Sequence, residues 1–418
     1  MIQRRYIVFL KKVMANIISI QRNKQKKRNN ASEDRSAVID YREQIKNHRF
    51  TMFYRMALLF ALLVVILLVF YLSWKYREYA NCLVLQSTEC NITQNNRLEN
   101  FAGNILAYGK DGATYMNTKG EAIWNITYEM QNPQVVKCNE VVAIGDFNSR
   151  TIYLMGPKGS LGEITTTMPI YKFCVADNGV LAVALNDTDI TWIYLYDAAG
   201  NELAYFKTSM QKSGYPLDLT ISPNGQLVGV SFLYLDNGEM KTNVAFYNFG
   251  DVGQNKTDNY VSGYNYNNEV VPCLRFMDGK TAFAVSDSRL MFYSGNQVPV
   301  CITEHFLDRE VLSVYYDSEY VGLVYVSDDP DQRYKLDIYD RNGSLKCTKD
   351  FSLDYKDIIL KNGYVYIYNE TKCYIFTVDD IEKFDGNFEH SAMLLVPSDR
   401  INKMTVMGTE AIDNLELK

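Results

Sequence analysis

From about residue 97 onward the chain alternates short apolar and aromatic runs with polar punctuation rich in Gly, Asn and Asp. The stretch "TWIYLYDAAGNELAYFKT", residues 191–208, shows the unit. Trp192, Tyr194 and Tyr196 interleave with Ile193 and Leu195 in a β-branched and aromatic run too short for an ordinary helix, which predicts a strand. "DAAGN" supplies a polar, glycine-bearing turn, and "ELAYFKT" is a second run able to pair back antiparallel. The stretch is therefore read as a hairpin.

That hairpin recurs. "ATYMNTKGEAIWNIT" from Ala113, "TIYLMGPKGSLGEITTT" from Thr151 and "KLDIYDRNGSLKCTKDF" from Lys335 repeat the order of strand, glycine turn and strand. A related hairpin comes upstream, as in "PIYKFCVADNGVLAVAL" from Pro169, "YPLDLTISPNGQLVGVSF" from Tyr215, "VPCLRFMDGKTAFAV" from Val271 and "YKDIILKNGYVYIY" from Tyr355. Its turn glycines Gly179, Gly225 and Gly279 lie 46 and 54 residues apart, and the 84 residues to Gly363 leave room for one more unit, "VLSVYYDSEYVGLVYV" from Val311. Two tandem hairpins every 40 to 50 residues or so make a four-stranded β-propeller blade. Seven such units fit between about residues 97 and 391, and a two-strand remnant, "NKMTVMGTEAIDNLELK", follows. A ring has to close, and "CLVLQS" from Cys82 is the strand available to complete that remnant. The expectation over residues 80–418 is an all-β propeller of eight blades with a composite last blade; seven blades is the alternative.

Ahead of the propeller the pattern changes. "MALLFALLVVILLVFYLSW", residues 56–74, is nineteen residues without a charge. As a helix it spans about 28 Å, which suits a hydrocarbon core of about 30 Å. Arg55 and Lys75 bracket it, and Tyr54, Tyr71, Trp74 and Tyr76 supply interfacial aromatics. "REYAN" before Cys82 fits neither a small-x-small cleavage site nor a lipoprotein box, so the segment is read as a retained transmembrane helix. Residues 1–55 hold 14 Lys and Arg against 4 Asp and Glu, and the remainder 29 against 45. Positive residues stay cytoplasmic, which puts the tail inside the cell membrane and the propeller outside it. Within the tail, "YIVFLKKVMANIISI" from Tyr6 predicts a basic amphipathic helix, suited to the anionic inner leaflet or to a protein partner. The basic linker "QRNKQKKRNN" has neither interleaved aromatics nor helix-turn-helix spacing, and no nucleic acid is expected.

"NTKGEAIWNI", with Trp124 four residues after Gly120, resembles the repeat of quinoprotein-like propellers, and "ISPNGQLVGVSF" is similar to a WD40-like "SPDG" turn. The layout of basic tail, single span and outer propeller, over roughly residues 50–418, resembles a membrane-anchored propeller family of unknown function in Firmicutes. The quinoprotein resemblance would imply adjacent cysteines and an aromatic platform around a cofactor. Here no two cysteines adjoin, and the tryptophans beyond the span, Trp124 and Trp192, lie in strands. No cofactor is expected.

The candidate chemistry is sparse. Beyond the span only His305 and His390 are present, in neither an HxH nor an HExxH arrangement, which leaves little for a histidine metal centre or a Ser-His-Asp triad. All eight cysteines lie outside the tail, and Cys82 with Cys90 is a possible disulfide of an exported domain. Cys174 and Cys273 sit inside apolar runs and read as small buried hydrophobes. "SDDPDQR", with Asp328, Asp329 and Asp331, offers oxygen ligands for calcium, but a turn of that composition needs no ion. Residues 247–270, "YNFGDVGQNKTDNYVSGYNYNNEV", read as a long connection whose Tyr260, Tyr264 and Tyr266 have the composition of an adaptable binding surface; capping of one blade is equally open. No catalytic or metal site is assigned. The functional expectation is a scaffold or sensor binding an envelope protein or polymer; the alternative is a propeller enzyme, hydrolase or quinoprotein-like, with acidic residues converging in the channel.

Overall fold

The computed structural model describes residues 41–90, 96–187, 190–209 and 213–418. The amphipathic helix expected from Tyr6 lies outside them. The chain divides into two units, residues 1–75 and 76–418. In the first, one helix runs Tyr41–Lys75, and its stretch His48–Lys75 is long and apolar enough to cross a membrane. That stretch begins eight residues before the charge-free run does, because Arg49 and Arg55 are too few to interrupt a strongly apolar helix.

In the second unit the period-two runs form strands, and the strands form eight antiparallel sheets of four. In chain order the blades occupy residues 97–127, 133–165, 170–209, 215–267, 273–306, 313–351 and 357–387; the eighth takes its first three strands from residues 394–417 and its outermost strand from Cys82–Glu89. The protein is thus an eight-bladed propeller, closed by the strand that the sequence offered. The C-terminal part of that last blade holds three strands, because Leu394–Pro397 adds one ahead of the expected pair.

The core is distributed. Eight hydrophobic clusters of the described residues each join two neighbouring blades, so each gap between blades is filled by side chains of both. Leu394, Val396, Met407 and Ile412 of blade 8 meet Ile105, Ala107 and Met116 of blade 1, and the ring is complete. Polar pins supplement this packing. The Trp124 indole N–H, on the outer strand of blade 1, donates to the Gly156 carbonyl of blade 2 at 2.9 Å. Gly162 of blade 2 lies so close to blade 3 that a Cβ there would sit 1.7 Å from the Ala198 carbonyl oxygen.

Each blade carries one bulge between its third and fourth strands, and in blades 1 to 7 it lies beside the connection that joins them. A bulge adds a residue to one strand and increases the local twist, which a radially splayed sheet needs at its outer edge. The extra residues include Leu85, Ile123, Leu161 and Leu203, and each is turned outward and exposed. Their exposure follows from the bulge and not from a failure of the alternating pattern.

At the closing seam Cys82–Glu89 pairs antiparallel with Ala411–Leu417. His390 Nδ1 lies 2.7 Å from Asp413 Oδ2, and Asp413 is only 3% exposed. The hydrogen bond to Asp413 and its charge raise the His390 pKa above 6.5, helped by Glu389 and Glu410. A raised folded-state value stabilises fully below the unfolded value of 6.5 and loses that contribution as pH rises through the folded one. The thermal midpoint is therefore expected to fall modestly as pH is raised from 6.5, and His390→Gln should flatten that slope. With the imidazole exposed to solvent the contribution is modest, about 1 kcal/mol, so the readout is the pH slope and not the midpoint itself.

Candidate functional site: the central channel and a groove between blades

The first strand of each blade is the one nearest the axis, and the first strands of neighbouring blades touch at most junctions. Between them lies a cavity of about 390 Å³. Its wall carries a charged belt: Glu99 of blade 1, Lys137 of blade 2, Lys172 of blade 3, Asp218 of blade 4 and Arg275 of blade 5.

Asp218 anchors this belt. It is 1% exposed, and its Oδ1 accepts from Lys172 Nζ at 2.8 Å. Its Oδ2 accepts from the Leu274 backbone N–H at 2.8 Å and from the Arg275 guanidinium. Three blades are thereby tied through one carboxylate. Burial works against the Arg275 cation, but Asp218 outweighs it and holds the guanidinium pKa above its usual range. Lys137 Nζ pairs with Glu99 at 2.7 Å and also donates to the Asn100 carbonyl. Further round the ring burial raises the Asp357 carboxyl; the Ile358 N–H works against this, while Glu99 adds to it. The two acids on the cavity wall are thus already ion-paired, an arrangement for positioning charge and unlike two free carboxylates poised for acid and base.

The cysteines of this wall are unsuited to attack. Burial pushes the Cys138 thiol up to about 11 and raises Cys174 further, so both are thiols near neutral pH. At the end of the strands where Lys172 and Asp218 begin, Phe147, Tyr171 and Tyr215 form an aromatic arc, with ring centroids 6.1 Å and then 5.2 Å apart in edge contacts.

A second concavity of about 380 Å³ lies between blades 3 and 4, with Phe206, Tyr234, Asn243, Tyr247, Tyr260 and Asn265 on its wall. The segment read as a long binding loop is here. It contains a short helix, Asp251–Gln254, and then the outermost strand of blade 4, Tyr260–Asn267. Of the three tyrosines named from sequence, Tyr260 is exposed and lines the groove. Tyr266 is buried, with its hydroxyl 2.8 Å from that of Tyr293. Tyr264 donates to the Pro299 carbonyl and accepts from the Cys301 N–H, so it pins blade 4 to blade 5. Alternation puts Tyr264 and Tyr266 on the face toward the neighbouring blade, and the bulge at Val261 separates Tyr260 from that face; a polar, asparagine-rich composition does not distinguish an edge strand from a loop.

Cys82 and Cys90 are both free thiols and are not a disulfide. Cys82 opens the extended strand Cys82–Glu89 and Cys90 follows its end, which separates their Cα atoms by about 26 Å where a bridge requires less than about 7 Å. His305 sits in the outer strand of blade 5, with Nε2 2.6 Å from the Gly343 carbonyl oxygen. Asp328 pairs with Arg309, and Asp329 accepts from the Asp331 N–H. Among the described residues no group of three His, Cys, Asp or Glu side chains is arranged to hold a metal ion.

The sequence reading missed Lys172, Asp218 and Arg275. A signal was there: each is the lone charge in an otherwise apolar first strand, "YKFCV", "LDLTI" and "CLRF".

The sequence model of a family described as of unknown function (DUF5711) matches residues 75–417. No curated protein matches the sequence. Solved structures similar to the chain include BamB from Moraxella catarrhalis, at 11% identity over 81% of this chain and 100% of that one with a TM-score of 0.46. Hsv2 from Kluyveromyces lactis shares 9% identity over 73% and 98%, TM-score 0.44, and the Pan2 WD40 domain from Neurospora crassa 12% over 54% and 70%, TM-score 0.37.

Proposed function

The chain belongs to the DUF5711 family of unknown function, and from that premise we propose that it is a single-pass, membrane-anchored propeller that binds an envelope protein or polymer as a scaffold or sensor. The anchor is the helix stretch His48–Lys75. The basic excess of residues 1–55 favours a cytoplasmic tail and an outer propeller.

The observation that carries the reading is the groove between blades 3 and 4. It presents an exposed tyrosine and side-chain amides on rigid strands, a combination that gives apolar contact at small entropic cost together with adaptable hydrogen bonding. Asn243 Nδ2 already donates to Asn265 Oδ1 at 2.7 Å, so these amides are held in place before a partner arrives.

The test is site-specific photocrosslinking in cells on the full chain, with the probe at Tyr260 and, as a control, at exposed Ile123 on blade 1. A discrete adduct from position 260, absent from position 123 and lost on adding Asn265→Ala, is the expected result. Equal labelling at both positions, or none from a folded and membrane-inserted protein, would sink the proposal.

A further inference from the structure

We infer that the central channel contains an oxyanion site, in which Lys172 and Arg275 bind a carboxylate or phosphate group and Asp218 positions both cations.

The first argument is the balance of charge. Asp218 meets two cations with one negative charge, so the group joining blades 3, 4 and 5 retains one positive charge. The remaining ions on the cavity wall, Lys137 and Glu99, neutralise each other. Val136, Phe173, Val175, Leu219 and Phe276 form apolar wall around them. An uncompensated charge at such a wall is costly, and a bound anion removes the cost. The surplus cation also runs against the domain's own charge, since residues 56–418 carry 29 Lys and Arg against 45 Asp and Glu.

The second argument is donor geometry. Lys172 Nζ donates to the Leu217 carbonyl and to Asp218, which uses two of its three protons. Arg275 Nη1 donates to Asp218 and to the Leu274 carbonyl, and no hydrogen bond among the described residues uses its Nε or Nη2. A guanidinium held on one side and open on the other is suited to two-point capture of an oxyanion. Both side chains keep about a third of their surface accessible, at 33% and 36%, although their common partner is 1% exposed. The phenol of Tyr316 from blade 6 lines the same wall, and its pKa is raised by burial in spite of Arg275, so it is a neutral further donor.

The cavity, at about 390 Å³, admits a small anion or one acidic group of a larger ligand. Nothing in this site depends on the groove that carries the proposed function.

The experiment is calorimetric titration of the full chain in detergent micelles, at low ionic strength, with inorganic phosphate and separately with acetate. Saturable binding of at least one of the two is expected, weakened about tenfold by Lys172→Gln, a variant in which Arg275 still neutralises Asp218. Arg275→Lys keeps the charge and loses the fork; it should weaken acetate more than phosphate if the natural group is a carboxylate, and both alike if it is a phosphate. Lys207→Gln, on the outer strand of blade 3, should change neither. Absence of saturable heat with both anions, or wild-type affinity in folded Lys172→Gln, would overturn the assignment.

Discussion

Removing residues 82–89 is expected to leave the propeller unable to unfold cooperatively, with the purified domain aggregating or melting at least about 10 °C below the full chain. The strand Cys82–Glu89 is the outermost strand of blade 8, in register with Ala411–Leu417 from Cys82–Leu417 through Glu89–Ala411. Its loss strips the backbone partners from one side of the C-terminal strand, which still pairs with Lys403–Met407 on the other, and exposes a new edge, the kind that recruits other chains. Each ladder hydrogen bond contributes about 1 kcal/mol net, so the ladder alone is worth on the order of 5 kcal/mol, a large part of the 5–15 kcal/mol that holds a typical domain. Cys82 and Val84 also cover Leu415 and Leu417 in the cluster between blades 7 and 8. The strand moreover joins the two ends of the propeller, so without it the ring can open at one gap. Circular dichroism melting and size exclusion of the two proteins decide the matter. A cooperative transition within about 5 °C of the full chain would show that blades 1 to 7 and a three-stranded remnant suffice.

The second large effect is expected at Asp218. Asp218→Ala leaves Lys172 and Arg275 together without their shared carboxylate and takes the acceptor from the Leu274 N–H. Breaking a buried pair by removing one partner costs about 3–5 kcal/mol, and the part-exposed cations place this case toward the lower figure. Asp218→Asn should cost less, because its carbonyl oxygen still accepts. Replacing all three residues together, Asp218→Leu with Lys172→Met and Arg275→Leu, should recover much of the loss, since apolar groups of similar volume often substitute for a buried ion group without penalty. Denaturation midpoints for the three variants test this directly. A triple variant no more stable than Asp218→Ala would mean that packing, and not charge, sets the cost at this site.

The repeats were legible because period-two alternation and glycine turns are local. Strand positions, the first turn of a blade at Gly179, Gly225 and Gly363, and the closing role of "CLVLQS" all follow from the order of residues within a few positions. The candidate site was only half legible. Tyr260 was named and does line a groove, but Tyr264 and Tyr266 were named with it and face blade 5, because composition carries no information on which side of an edge strand a residue stands. The C-terminal blade was short by one strand because "LLVP" is four residues with no turn glycine before it.

By itself, then, the sequence determined the elements: a charge-free stretch capable of spanning a membrane, a basic tail, and a series of hairpins that can bury their apolar faces only by packing blade on blade. Tertiary structure alone decided which charges meet. Lys172, Asp218 and Arg275 stand 46 and 57 residues apart along the chain and converge because each occupies the innermost strand of its own blade. The seam is similar: His390 and Asp413 meet where the two ends of the propeller join. Alternation fixes the face a residue takes within its strand, whereas its partner across the ring depends on the number and angle of the blades, which only the closed assembly sets.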